Sequence, residues 1–232
     1  ADEWSFFNNV AGLAETENVI ASFSADAQPG FAPFNKMAAV FSLPLKIGVA
    51  GAGIFRFGDD LYNEQLIAAG FANTFGNTSL GLKINYIQYD APGFGTKGLW
   101  SLSFGGISKI ADKFFIGAHI INLNQPDISK AEKEKLPTSI ILGVAVPLTP
   151  QTFVTAELEK DLSFPVKYKA GIEYKPFKKF AFRTGFNLKP SIFFFGLGFK
   201  TGKFSLDYAF QHHLVIGARH QASVGYRFRQ HK

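Results

Sequence analysis

Few residues of this sequence combine the types and the spacing that catalysis or metal binding requires. His220 and Ser223 are three positions apart, so on a strand they would lie on opposite faces and not act together as base and nucleophile. His212 and His213 stand side by side without a neighbouring carboxylate, which is more typical of a solvated loop than of a metal site. Residues 93–98 match a dinucleotide-binding pattern by letter, but a strand rather than a helix follows them, which indicates a hairpin loop. Because the chain also lacks cysteine, the sequence predicts no enzyme, no metal site and no cofactor.

Charged and polar side chains instead alternate with apolar ones along the chain. In residues 203–211, one face carries Phe204, Leu206, Tyr208 and Phe210, and the other carries Ser205, Asp207 and Ala209. Alternation with a period of two indicates strands with two unlike faces. If the strands close into a barrel, the polar faces should line its lumen with Lys46, Arg56, Lys83, Asn85, His119, Glu157, Glu159, Lys167, Lys169, Glu173, Arg183, Asp207 and Arg227.

The elements that must position these side chains are strands separated by Gly, Pro and Asn turns. Their connections are short after even-numbered strands and longer after odd-numbered ones, as at 27–34, 90–96, 124–136 and 212–219. An even number of strands with tight turns at one end and longer loops at the other is typical of outer-membrane barrels. We count fourteen strands, at residues 18–26, 35–43, 45–57, 63–75, 78–89, 97–108, 112–123, 137–147, 151–160, 166–175, 179–188, 192–200, 203–211 and 220–228.

Periodicity alone does not decide whether the apolar faces contact lipid or a soluble core, because a sandwich or lipocalin-like barrel alternates in the same way. Composition favours lipid, since the chain has 27 Phe among 232 residues, is only 18% charged, and carries no charge on its apolar faces. The longest charge-free stretch, residues 136–156, is interrupted by prolines and does not resemble a membrane helix. The sequence therefore predicts an all-β fold, a single antiparallel transmembrane β-barrel over residues 18–232 with a short luminal segment at 1–17.

Three features leave alternatives open. The net charge of +6 fits a nucleic acid, an anionic lipid surface or an anionic solute as partner. Inward-facing glycines such as Gly81, Gly117 and Gly143 fit strain relief in coiled strands or room for a segment in the lumen, and we favour strain relief. The chain begins with Ala1-Asp2-Glu3, as expected after cleavage of a signal peptide, although trimming would leave the same start.

The segment before the first strand is aromatic and does not alternate. Asn9 could cap a short turn through Leu13. The stretch Asn9-Val10-Ala11-Gly12-Leu13-Ala14 resembles the N-terminal hatch of FadL-like outer-membrane barrels, with Val10 in place of a proline. The resemblance implies a hatch at residues 1–17 that enters the lumen, with the candidate residues Trp4, Phe7, Asn9, Gly12 and Leu13.

The last strands are similar to those of the PorV/PorQ branch of the same superfamily. The similarity lies in residues 169–174, 182–186, 195–199, 207–210 and 219–228, and in 115–124 for the middle strands. It implies a fourteen-stranded barrel that either passes hydrophobic molecules through the outer membrane or binds envelope proteins in type IX secretion.

The leading functional hypothesis is an accessory or scaffold subunit of an outer-membrane complex, because the chain is shorter than typical members and its loops are small. Its partners would be other outer-membrane or periplasmic proteins and lipid or lipopolysaccharide, not nucleic acid, with contacts through the Phe stripes, the loops and the basic tail at 229–232. The alternative is a channel for small hydrophobic or anionic solutes, with the N-terminal segment as its gate. Either hypothesis places the protein in the outer membrane of a Gram-negative cell with both termini in the periplasm.

Overall fold

A computed structural model describes residues 2–30, 32–93, 95–110, 114–129 and 134–228 of the chain. The basic tail at 229–232 lies outside these residues. The described residues include no helix with the length and hydropathy that a membrane span needs. Their strands are β1 (Ile20–Ala27), β2 (Lys36–Leu45), β3 (Gly48–Gly58), β4 (Asn63–Phe75), β5 (Thr78–Ala91), β6 (Gly95–Ile110), β7 (Phe114–Ile121), β8 (Asp127–Ser129), β9 (Glu134–Lys135), β10 (Ser139–Thr149), β11 (Thr152–Asp161), β12 (Lys167–Phe177), β13 (Phe180–Leu188), β14 (Ile192–Thr201), β15 (Phe204–His213) and β16 (Gly217–Arg227).

Fourteen of these strands form one closed antiparallel barrel, which confirms the predicted fold. Each strand pairs with the next along the chain, β7 pairs with β10, and β16 closes on β1 from Ile20 opposite Arg227 to Ala27 opposite His220. Strands β8 and β9 form a separate small hairpin inside the long connection between β7 and β10. That hairpin was not predicted, because its two strands are too short to show an alternating pattern.

The two ends of the barrel differ in their connections. At one end, which we call the turn end, five described connections have only two residues, at 46–47, 76–77, 150–151, 178–179 and 202–203. The other end, which we call the loop end, carries the connections at 28–35 and 122–138. The predicted long loops at 90–96 and 212–219 are shorter than expected, because the strands continue to pair as far as Ala91 with Gly95 and His213 with Gly217.

Large apolar side chains cover the outer face of the barrel. On β14, for example, Phe195 is 57% exposed and Leu197 is 54% exposed, while Gly196 between them faces inward. Similar side chains are exposed on strands around the whole barrel, which is far more apolar surface than a soluble monomer presents. The high Phe content therefore forms an exterior coating rather than an oversized core.

The N-terminal segment lies inside the barrel. It contains a short α-helix (Ser5–Asn8) and a 3-10 helix (Val10–Glu15), and we call residues 2–17 the plug. Phe6, Val10 and Leu13 of the plug are fully buried against inward-facing side chains of β2, β3 and β4, namely Val40, Val49, Ala68 and Ala72. The hydrophobic core of the protein therefore lies between the plug and one side of the barrel wall.

Two residues predicted to line the lumen lie elsewhere. Lys46 is exposed in the two-residue turn after β2. Arg56 lies on the outer face of β3 together with Ile54, opposite Gln65 of β4, whereas Val49 points inward. The prediction placed the wrong face of β3 inward because the plug makes the lumen apolar here, so that both faces of this strand carry apolar residues.

Candidate functional site

Asn9 holds the plug to the barrel wall. Its Oδ1 accepts a hydrogen bond from the backbone N–H of Ala11 at 3.2 Å, which caps the 3-10 helix. Its Nδ2 donates to the carbonyl oxygens of Gly106 on β6 and Ala118 on β7, at 3.3 and 3.2 Å. One side chain therefore starts the plug helix and ties it to two neighbouring strands.

Glycines of the wall give the plug backbone its space. A Cβ at Gly81 would lie 2.8 Å from the backbone nitrogen of Ala11, and a Cβ at Gly105 would collide with Asn9 Oδ1. Gly51 and Gly53 leave similar space for Phe6. Gly81 therefore makes room for a luminal segment. Our expectation that such glycines relieve strain in the strands does not hold at this position. At Gly143 the nearest atom to a Cβ would be 3.6 Å away, and no plug atom is close.

Lys83 is a buried cation beneath the plug. Its side chain points inward from β5, is 5% exposed, and donates from Nζ to the carbonyl oxygen of Phe6 at 3.0 Å. Nζ also lies 5.2 Å from the ring centre of Phe6 and 5.6 Å from that of Phe7. Among the residues that the structure describes, no carboxylate forms an ion pair with it. The ammonium is compensated by one carbonyl and two aromatic faces.

Asn85 and His119 are also buried on the inner wall, as predicted from the alternation. Asn85 donates from Nδ2 to Ser101 O and Ser103 Oγ, but its Oδ1 has no hydrogen-bond partner within the described part of the chain. His119 is 1% exposed, and its ring lies against the backbone of Asn8 in the plug. Buried polar atoms without partners in the protein are uncommon, and an ordered water, an ion or a ligand commonly completes them.

The opposite wall of the lumen carries alternating charges. Lys169 of β12 bonds both Glu157 and Glu159 of β11, at 2.6 and 2.8 Å, and Lys167 bonds Glu159 at 2.9 Å. Nearer the turn end, Glu173 pairs with Lys175 and with Arg183 at 2.7 Å, and Arg183 also pairs with Asp207. The side chains of Lys169, Glu157, Arg183 and Asp207 are about one-third exposed, so they border open space rather than a packed core.

Three cavities lie in series from the loop end to the turn end. The loop-end cavity has a volume of about 610 Å³, the middle cavity about 410 Å³ and the turn-end cavity about 170 Å³. The middle one borders Arg183 and Asp207, and the turn-end one borders Arg227, the last of the predicted lumen residues. Trp4 of the plug lines all three cavities, so the plug borders the whole series.

The loop-end cavity is mainly apolar. Trp4, Phe7 and Asn8 of the plug form its floor. Its apolar wall comes from five strands and the long loop, with Ala38, Phe55, Leu66, Ile87, Ile121 and Leu136. Its polar groups include Lys83, Asn85 and Ser103 near the floor and Asp26, Lys36 and Glu64 nearer the loop end, and further polar side chains are Asn8, Ser24, Gln65, Tyr89, Asn122 and Gln221. Such a chamber can take a small molecule with an apolar body and a few polar groups.

The remaining predicted plug residues have distinct positions. The ring centres of Trp4 and Phe7 are 6.3 Å apart, and Gly12 and Leu13 are buried in the 3-10 helix. Sequence reasoning missed Glu3, which is buried and hydrogen-bonded to Ser22 of β1. It also missed Phe6. The adjacent pair Phe6 and Phe7, in a segment without alternation, could have indicated that this residue packs inside the barrel.

The overall structure is similar to known outer-membrane barrels, although neither a protein family nor a curated protein matches this sequence. The toluene transporter TodX of Pseudomonas putida superimposes with a TM-score of 0.72 at 11% identity, over 99% of this chain and 95% of TodX. The monoaromatic hydrocarbon channel CymD gives 0.70 at 12% identity, over 99% of this chain and 94% of its own. The outer membrane protein Omp33 of Acinetobacter baumannii gives 0.59 at 5% identity, over 91% of this chain and 98% of its own. The chain has the fold of an outer-membrane β-barrel.

The likeness to TodX supports the resemblance to FadL-like barrels at the level of the fold. It does not extend to the PorV/PorQ branch. The neighbours are channels and membrane barrels rather than enzymes.

Proposed function

We propose that this protein is an outer-membrane channel for small solutes with an apolar body, oriented with its turn end and both termini in the periplasm. The observation that carries the proposal is the series of three cavities beside the plug, which begins with an apolar chamber at the loop end. The structural similarity to TodX and CymD, which are described as a toluene transporter and a monoaromatic hydrocarbon channel, supports the same class of solute.

In this proposal the solute leaves water in the loop-end cavity, where Phe55, Leu66 and Ile87 replace its hydration shell. It then passes Trp4, because that side chain borders both this cavity and the next one. The charged wall of the middle and turn-end cavities is hydrated, so the solute returns to water there. The plug restricts the passage at Trp4 and is held in place by Asn9 and Lys83.

The test is solute flux into proteoliposomes that contain the purified protein. The vesicles contain lipopolysaccharide, because a plain phospholipid bilayer is itself permeable to small aromatic compounds. Toluene and benzyl alcohol should enter these proteoliposomes faster than protein-free vesicles of the same composition, and Trp4→Ala should raise the rate several-fold because the side chain shared by the three cavities is gone. Trp100→Ala is the matched control, since Trp100 is exposed on the outer face of β6. Flux equal to that of protein-free vesicles would refute the channel, and an equal effect of both substitutions would refute passage at Trp4.

The scaffold hypothesis, with envelope proteins as partners, stays a prediction from the sequence. Purification in mild detergent tests it separately, because a subunit of a complex should elute together with stoichiometric partners. A protein that elutes alone and transports solutes fits the channel.

A further inference from the structure

The floor of the loop-end cavity combines two polar side chains whose hydrogen-bonding capacity the described residues satisfy only in part. Lys83 Nζ makes one hydrogen bond within the described residues, to Phe6 O, although an ammonium can donate three. Asn85 Oδ1 is buried and accepts none from the described residues. Both side chains line this cavity. A buried cation without a counter-ion is costly in free energy, as is a buried carbonyl without a donor, so a ligand that supplies both groups would bind favourably.

The two side chains are neighbours on the inner face of β5. They lie two positions apart on β5 and therefore point to the same side, with backbones separated by about 7 Å at a rise of ~3.4 Å per residue. A carboxylate satisfies Lys83, and a hydroxyl donates to Asn85 Oδ1. A single aromatic ring with these groups in meta or para positions spans a similar distance and leaves its faces for apolar contacts.

The rest of the cavity suits an aromatic ring. Phe7 lies on the floor and Phe55, Leu66 and Ile87 on the wall, and rings prefer to pack against such side chains. The volume of about 610 Å³ holds a one-ring compound with space for a few waters. Asp26 and Glu64 also line the cavity, but from the ends of β1 and β4 near the loop end, away from the plug.

We propose that Lys83 and Asn85 form the polar end of a binding site for small hydroxylated aromatic carboxylates, such as 3-hydroxybenzoate. The carboxylate binds Lys83 Nζ, the hydroxyl donates to Asn85 Oδ1, and the ring packs between Phe7 and the apolar wall. The role of this binding site in selecting solutes on the transport route rests on the proposed channel function. It narrows that function from apolar solutes in general to aromatic acids.

Isothermal titration calorimetry of the full chain in detergent tests the site with three probes. We expect 3-hydroxybenzoate to bind about tenfold or more tightly than 3-hydroxybenzamide, which lacks the charge, and several-fold more tightly than benzoate, which lacks the hydroxyl. Lys83→Met should remove the preference for carboxylate over amide. Asn85→Leu should remove the preference for the hydroxyl while leaving that for the carboxylate. Lys167→Met is the matched control, because this luminal lysine pairs with Glu159 and does not line the cavity.

Lys83→Met also removes a contact with the plug, so the ligand series on the unaltered protein decides the case independently. Equal affinity of the unaltered protein for 3-hydroxybenzoate and 3-hydroxybenzamide would overturn the proposal, and so would an unchanged preference in both variants. If toluene in that event still enters the lipopolysaccharide-containing proteoliposomes faster than matched protein-free vesicles, the channel stands and only the aromatic-acid site falls. If the probes bind as expected but no solute crosses, the site stands and the channel falls.

Discussion

The face of a strand on which a charged residue lies decides its role in this barrel. Lys83 and Lys169 both point inward, but one is buried under the plug and the other is paired on the open wall. The sequence alternation assigned both to the inner face, because the outer faces of β5 and β12 are clearly apolar. It failed at Arg56, because β3 carries apolar side chains on both faces and the period alone then gives no direction. The unpartnered Asn85 Oδ1 was beyond sequence reasoning, since it depends on which neighbours a folded side chain meets.

Gly81 is the position at which a single methyl group should displace the plug. In Gly81→Ala the new Cβ would lie 2.8 Å from backbone atoms of Val10 and Ala11, which cannot be relieved by a side-chain rotation. We expect the plug to shift and the ionic conductance in planar bilayers to rise several-fold. The measurement is single-channel conductance of the purified protein at fixed salt.

Gly143→Ala is the matched control for this prediction. Gly143 also faces inward, but the nearest atom to its Cβ would be a carbonyl oxygen at 3.6 Å, an ordinary contact, so the conductance should not change. The same conductance for Gly81→Ala and the unaltered protein would contradict the close approach of plug and wall.

The plug is the element whose existence the sequence indicated and whose position it did not. Its aromatic, non-alternating composition set it apart from the strands, and the resemblance of the stretch from Asn9 to Ala14 to the hatch of FadL-like barrels implied that it enters the lumen. Its contacts with β3, β4 and β5 were not predictable, because they depend on glycines whose inward orientation shows only in the closed barrel. Because the plug packs against one side of the barrel wall, it leaves the ion pairs of β11 to β15 on the other side uncovered.

Removal of the plug should therefore open the barrel without breaking it. Each of the fourteen barrel strands keeps both neighbours when residues 2–17 are deleted, because the plug contributes no strand to the sheet. We expect the deleted protein to keep its β-sheet circular dichroism spectrum while its conductance rises well above that of Gly81→Ala. A synthetic peptide of residues 2–17 added at the turn end should lower the conductance again. Unchanged solute leakage after the deletion would count against gating by the plug.

At the scale of the whole molecule, the barrel combines a protein core and open cavities within one sheet. One side of its inner wall packs on Phe6, Val10 and Leu13 as in a globular protein, and the other carries charges that border cavities. Strand number and closure were predictable because alternation and connection lengths are properties of the whole chain. The division of the lumen into a packed side and an open side was not predictable, because it depends on where one short segment, the plug, folds back into the barrel.

The orientation of the barrel in its membrane is the last property that the two unlike ends make testable. The chain has no cysteine, so single cysteines can be introduced without background. Asp60 is exposed in the connection at 59–62 of the loop end, and Asn77 is exposed in the turn at 76–77 of the turn end. With the turn end in the periplasm, a bulky, membrane-impermeant maleimide should label Asp60→Cys on intact cells and label Asn77→Cys only after the outer membrane is permeabilised. The reverse pattern would place the apolar loop-end cavity on the periplasmic side, and solute would then meet the charged turn-end cavity first.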